Sequence, residues 1–219
     1  MTRHEIVLDD GGMNLLSSSM LRWIRAQLPP SSATILVLRS GRPHIFAAGA
    51  DMAEMRAFGA REAEEFARLG QELFAEIEKL PMITVALIDG DCFGGALDLV
   101  LAFDLRFSTP RSRFAHPGGK LGIVTGFGGT SRWRKAIDRA AARRLFLGNE
   151  RLTAEEAMEA GLVDRVAESF DGELARLQTL DPTTTRVLKE LSRHAEALSQ
   201  SELMLLAERL TSLRGLDRQ

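Results

Sequence analysis

Asp89-Gly-Asp-Cys-Phe-Gly-Gly-Ala-Leu-Asp98-Leu-Val-Leu-Ala-Phe103 follows directly on the apolar run from Ile83 to Ile88. A buried strand therefore ends in a glycine-rich turn, and a buried helix begins at Gly94–Gly95 and runs to Phe103. Adjacent glycines let a ligand come close to the backbone, because no Cβ stands in the way. The first N–H groups of a helix have no intrahelical acceptor and lie at its positive end. Such a start suits a developing oxyanion or a phosphate. Asp98 is the unusual residue here, since Ala96, Leu97, Leu99, Val100, Leu101, Ala102 and Phe103 around it are all apolar. An ionised carboxylate in those surroundings is costly unless it is paired or used. Two readings stand: a carboxylate that caps a loop or pairs with an arginine, and one with a functional role. Its place one turn inside an anion-binding helix start favours the second.

Outward from this segment, Ile35-Leu36-Val37-Leu38 is another continuous apolar run, the pattern of a strand covered on both faces. Ile6–Leu8, residues 45–50, Leu105–Ser108 and Val163–Val166 read as further strands. Helices are expected over Ser17–Leu28, before Pro29–Pro30, and over Arg61–Leu80, before Pro81. In the latter, Phe66, Leu69, Leu73, Ile77 and Leu80 recur at spacings of three and four. Thr153-Ala-Glu-Glu156 is a capping box that opens a helix, and Gly161 is its stop. Residues 171–214 read as two or three helices. Strands alternating with helices make residues 1–170 an α/β core, with a helical region over 171–219.

The composition fits that architecture: 219 residues, 45% hydrophobic and 26% charged, enough to bury a core without crosslinks. One cysteine, Cys92, rules out an intrachain disulfide and a multi-cysteine zinc site. His4, His44 and His194 show no metal-ligand spacing, so no metal is expected. The acidic N-terminus reads as no leader, and no apolar run reaches the length of about 18 residues that a spanning helix needs. A cytoplasmic location is the expectation, with no membrane partner. A net charge of −2 gives no reason to expect nucleic acid. The cationic stretch Arg132, Arg134, Lys135, Arg139, Arg143 and Arg144 reads as a solvated or subunit-contact face, with phosphate binding as the lesser alternative.

A second segment, Ile45-Phe-Ala-Ala-Gly-Ala50-Asp51-Met-Ala-Glu-Met55, joins a strand to a short helix through small residues. Asp51 is placed as the N-cap. Met52 and Met55 share a helical face, to pack the core or to line a pocket.

At these two segments the sequence resembles the enoyl-CoA hydratase/isomerase (crotonase) superfamily. The A-G-A-D turn stands here as Ala48-Gly49-Ala50-Asp51, and the G-G-G-x-E helix start as Gly94-Gly95-Ala96-Leu97-Asp98. Asp104-Leu-Arg-Phe-Ser-Thr109, Phe114–Gly122, Gly126-Phe-Gly-Gly-Thr130, Leu152–Ala157 and Gly161-Leu-Val163 extend the likeness in order over roughly residues 5–170. The resemblance implies a crotonase-like α/β fold of repeated ββα units, assembled as a homotrimer or hexamer. It implies an acyl-CoA thioester as substrate, with coenzyme A entering as part of that substrate and no resident cofactor. The N–H groups of Ala50 and Gly95 would form the oxyanion hole for an enolate. Ala48, Asp51, Met52, Gly94 and Gly118 would contact substrate, and Asp98 and His116 would be the catalytic side chains.

The departures bear on the reaction. Hydratases of the family carry a second Glu after the proline matched by Pro117, and here that position is Gly118. Adding water across a double bond needs a base for the water and an acid for the carbon. One carboxylate suffices to move a proton between two carbons, which favours an isomerase-like step. His116 is either a second proton-transfer group or a loop histidine bonded to backbone. The chain has no tyrosine, so family mechanisms that use a tyrosine hydroxyl are excluded. The family's E-G-x-x-A-F segment, which encloses the CoA adenine, has no match after Leu198, so the helical region is read as truncated. Three function classes follow: an acyl-CoA isomerase or hydratase using Asp98, an enolate-forming decarboxylase or thioester hydrolase, and a silent acyl-CoA-binding homologue. A serine peptidase would want a nucleophile where Gly95, Ala96 and Leu97 stand.

Overall fold

A computed structural model describes residues 2–30 and 32–194. In chain order it holds β1 (Arg3–Leu8), α1 (Ser18–Ala26), β2 (Ile35–Ser40), β3 (Ile45–Ala47), α2 (Met52–Arg56), α3 (Ala60–Lys79), β4 (Ile83–Ile88) and β5 (Asp91–Phe93). There follow α4 (Gly95–Val100), β6 (Leu105–Ser108), β7 (Arg113–Ala115), α5 (Gly118–Leu121), α6 (Gly129–Ala136) and α7 (Arg139–Ala142), which runs on into a π-helical turn over Arg143–Leu147. Then come β8 (Arg151–Thr153), α8 (Ala154–Glu159), β9 (Arg165–Val166), α9 (Asp171–Gln178) and α10 (Pro182–His194).

The strands form two sheets. The larger is parallel throughout, in the order β1-β2-β4-β6-β9. The smaller runs β3-β5-β7-β8, parallel except for the antiparallel β7–β8 edge. Three times a strand of the large sheet is followed by a strand of the small sheet and then by a helix: β2–β3–α2, β4–β5–α4 and β6–β7–α5. This is the repeated ββα pattern.

Period-two alternation explains why β2 and β4 read as unbroken apolar runs. Leu36, Leu38, Ala86 and Ile88 enter the main core, whereas Ile35, Val37, Ile83 and Val85 enter a second core on the opposite face. Phe170, Leu174 and Leu177 cover that second face. On the main-core side, α3 contributes the buried stripe Phe66, Gly70, Leu73, Phe74 and Ile77. The α8 capping box is formed as expected, with Thr153 and Glu156 bonded reciprocally, and Gly161 takes φ 77° just beyond it.

Several boundaries differ from the sequence reading. The strand expected to reach residue 50 stops at Ala47, because Gly49 turns the chain with φ 94°. The helix expected to reach Phe103 ends at Val100 and unwinds through a turn. The strand expected over Val163–Val166 pairs only at Arg165–Val166. The cationic stretch is not a uniformly solvated face: the Arg132 side chain, 12% exposed, bonds both Glu78 oxygens and the Phe127 carbonyl, and Arg144 pairs with Glu150 and Glu156. Of the helices expected over 171–214, α9 and α10 are present; the remainder of that stretch and the position of the missing E-G-x-x-A-F match lie outside the described residues.

Candidate active site

β3, β5 and β7 lie side by side and parallel, so the turns that follow them emerge together at one edge of the small sheet. Those turns are residues 48–51, 94–95 and 116–118. Ligand sites in parallel sheets form in this position, beyond the carboxyl ends of adjacent strands.

The first turn is locked by an isolated parallel bridge between Leu16 and Ala50. Leu16 donates to the Gly49 carbonyl at 2.8 Å and accepts from Asp51 N at 3.4 Å. In such a bridge the flanking residues supply the bonds, so the N–H of Ala50 itself points to the other side. The second turn presents Gly95, the first residue of α4, whose N–H has no intrahelical acceptor. Gly94 reaches that start with φ 53° and ψ −125° and donates its own N–H to Ala115 O at 2.9 Å.

The two turns pack closely. A methyl on Gly95 would stand 3.5 Å from Ala50 N, and one on Gly49 would stand 3.2 Å from Gly95 N and 2.7 Å from Phe93 O. Glycine at 49 is therefore required both by its left-handed φ and by space. Among the described residues neither Ala50 N nor Gly95 N has a backbone acceptor. Two free amides front one space.

That space opens into a cavity of about 280 Å³. Ala48, Ala50, Met52, Gly94, Gly95, His116 and Gly118 all contribute to its lining. The rest is largely apolar, with Met55, Phe58, Phe66, Ile123 and Phe127 prominent. Of the expected contact residues, Asp51 stands outside the lining. Its carboxylate instead accepts from Ala53 N at 2.8 Å and Glu54 N at 3.1 Å, which caps α2.

Asp98 is fully buried and is likewise not part of the lining. The carboxylate lies under α6: Trp133 Nε1 donates to Oδ1 at 3.3 Å, and any side chain on Gly129 would run into the same oxygen. Thr125 Oγ1 donates to Oδ2 in a short hydrogen bond, and Thr125 does line the cavity. Burial pushes the Asp98 pKa up to about 7, against the hydrogen bonds from Thr125 and Trp133 and the charge of Arg132. Sequence reasoning placed Asp98 directly at the site; the structure sets it one side chain behind the wall. Thr125 and Trp133 were missed. Neither residue type is informative until the fold brings it to a buried carboxylate.

His116 is 7% exposed, and its ring meets Trp133 and Phe146 edge-on with centroids 5.2 and 5.0 Å away. Its Nε2 is buried without a hydrogen-bond partner among the described residues. The alternative in which this histidine only bonds backbone leaves Nε2 unexplained. Burial lowers its pKa, so the ring is held neutral. At Gly118 a Cβ would collide with the Ile123 carbonyl oxygen. The turn thus has no room for any side chain where a second carboxylate would stand.

Among the described residues no three His, Cys, Asp or Glu side chains converge as a metal would need, and no helix is long and apolar enough to cross a membrane.

The chain is 31% identical over 160 residues to a short-chain-enoyl-CoA hydratase of Clostridium acetobutylicum, covering 71% of this chain and 61% of that protein. It is 40% identical over 134 residues to an enoyl-CoA isomerase/hydratase of Mycosarcoma maydis, covering 61% and 48%. The chain thus spans about half to three fifths of the length of these relatives. The fold matches the crystal structure of an enoyl-CoA hydratase from Thermoplasma volcanium with a TM-score of 0.89, over 99% of this chain and 90% of that one, at 24% identity. The family model for enoyl-CoA hydratase/isomerase matches residues 26–209, most of the chain. With repeated ββα units and that match over most of its length, the chain belongs to the enoyl-CoA hydratase/isomerase family.

Proposed function

We propose that this chain binds an acyl-CoA thioester with its carbonyl oxygen between Ala50 N–H and Gly95 N–H, and shifts a double bond through the enolate. The observation that carries the proposal is the pair of free amides fronting one space at the mouth of an apolar cavity. Removing an α-proton from a thioester gathers negative charge on the carbonyl oxygen. Fixed donors at that oxygen need no reorganisation as the charge grows, and each contributes about 3 kcal/mol of transition-state stabilisation.

The choice of isomerisation over hydration follows from the proton inventory. Asp98, held at about 7, is a base matched to neutral pH. Hydration asks for a second group to activate water, and the turn at Gly118 has no space for one. The unpartnered Nε2 of His116 belongs to a neutral ring of a residue that lines the cavity, which supports an acceptor or donor for a ligand group. A homotrimer or hexamer is the assembly proposed with this activity, and cytoplasm the location.

The test is turnover of 3-enoyl-CoA and 2-enoyl-CoA esters by the wild type and by Asp98→Asn. The proposal expects 3-enoyl to become 2-enoyl ester, water addition to be slow or absent, and the substitution to abolish conversion. Conversion that survives Asp98→Asn contradicts it. Binding without turnover favours a silent homologue.

A further inference from the structure

Asp98 has no direct path to the cavity. Its Oδ1 is enclosed by the Trp133 indole N–H and the Gly129 backbone, and its Oδ2 is taken by the Thr125 hydroxyl. Of those three neighbours Thr125 faces the cavity, and Gly129 and Trp133 do not. We propose that Thr125 is a catalytic residue that passes protons between Asp98 and the bound acyl group. The inference rests on the acyl-CoA reading above and deepens it.

The step balances as follows. The α-carbon C–H bond of the thioester breaks, and its proton goes to Thr125 Oγ1 while the hydroxyl's own proton goes to Asp98 Oδ2. The C–H electron pair becomes the new bond between the α-carbon and the carbonyl carbon. The carbonyl π pair settles on oxygen, facing the Ala50 and Gly95 N–H groups. In a 3-enoyl ester the resulting dienolate is protonated at the γ-carbon by the reverse transfer, Thr125 giving its proton and taking one from Asp98. The product is the 2-enoyl ester, and no oxidant, reductant or co-reactant enters. Because both transfers occur together, the hydroxyl never has to carry a full negative charge. The Trp133 bond to Oδ1 leaves Oδ2 as the oxygen turned toward the relay.

Two features make the geometry more than a structural hydrogen bond. Thr125 lies on the short run between Ile123 and Phe127, all of which lines the same cavity as Ala50 and Gly95. The carboxylate it touches is kept basic by burial, so a base would sit sealed behind that run with nothing else to connect it.

The experiment follows deuterium uptake at the α-carbon of butanoyl-CoA in D2O, with calorimetric binding of the same ester, for wild type, Thr125→Val, Thr125→Ser and Asp98→Asn. Valine keeps the branched shape and removes the hydroxyl; serine keeps the hydroxyl. Expected are a rate loss of about 10²-fold or more in Thr125→Val and Asp98→Asn, binding within a few-fold of wild type, and rescue of most of the rate by serine. Wild-type isomerisation of 3-enoyl-CoA should be slowed both by α-deuteration of the ester and by D2O, with the D2O effect undiminished for the deuterated ester, as transfer of both hydrogens in one step requires, which keeps a readout if valine does not fold. Exchange by Thr125→Val at the wild-type rate, or a D2O effect that disappears for the α-deuterated ester, overturns the relay and leaves the acyl-CoA reading intact. Failure of wild type to bind or exchange any thioester overturns both.

Discussion

At the scale of single residues, the decisive balance is between burial and hydrogen bonding at Asp98. Its carboxyl group keeps its proton up to about pH 7 in the folded chain, against 3.8 when exposed. Between those values the native state binds more protons than the unfolded one, so stability falls as pH rises through that window and levels off above it. Asp98→Asn removes the ionisation while keeping the shape. The variant is therefore expected to melt higher than wild type above pH 7, to show no such slope, and to lose at least about 10²-fold in activity. Thermal melts at acid and alkaline pH check this, and a parallel pH dependence in both proteins would contradict it. Activity runs the other way: the ionised form is the base, so turnover rises with pH through about 7. The sequence already showed that Asp98 stood among apolar neighbours, because a charge in an unbroken apolar helix is visible by inspection. That Thr125 separates it from the cavity was not visible. The two residues are 27 positions apart in the chain, and only tertiary packing joins them.

At the scale of elements, the site exists because three short strands lie side by side and parallel. β2 and β4 were legible as runs buried on both faces, and α3 from its spacing of apolar residues. β5, β7 and β8 were not, since three residues are too few to establish a period of two. Without them, the turns at Ala50 and Gly95 could be paired only through family resemblance. The same local architecture limits engineering. Restoring the family's second carboxylate by Gly118→Glu puts a Cβ against the Ile123 carbonyl, and the α5 turn must move to accept it. We expect that substitution to cost about 1–3 kcal/mol and to give no hydratase activity, followed by loss of 2-enoyl-CoA absorbance and by chemical denaturation. Gain of hydration at unchanged stability would show that the turn is freer than its packing implies. A further element-level prediction concerns β6. Arg106, 8% exposed, donates to the carbonyls of Leu162 at 2.7 Å and Phe103 at 2.8 Å and pairs with Asp164 at 3.4 Å. Arg106→Ala leaves the carbonyls of the buried Leu162 and Phe103 without this donor, beside an Asp164 that water reaches, with an expected loss of about 1–3 kcal/mol and no direct effect on the cavity.

At the scale of the whole molecule, the two sheets divide the labour. The large parallel sheet is covered on both faces and gives rigidity; the small one carries the turns that hold the amides. The outer cover of the large sheet depends on Phe170, whose ring stacks on Phe107 with centroids 5.3 Å apart, and on α9 beyond it. Phe170→Ala is expected to cost about 3–5 kcal/mol, measured by denaturant titration, while binding of acyl-CoA by the remaining folded protein stays near wild type. Alternation of strands and helices made this architecture legible over most of the chain. The cover of the second face was harder to foresee, because helical periodicity shows that a helix has an apolar side and not which sheet face receives it. The two amides are assigned to one oxygen atom, and the relay to the carbon beside its carbonyl. The direct test is a crystal structure of the protein with a saturated acyl-CoA bound. It should place the thioester oxygen about 2.7–3.1 Å from both Ala50 N and Gly95 N, with the α-carbon toward Thr125. A thioester lying elsewhere, or amides that turn away from its carbonyl, would contradict the account.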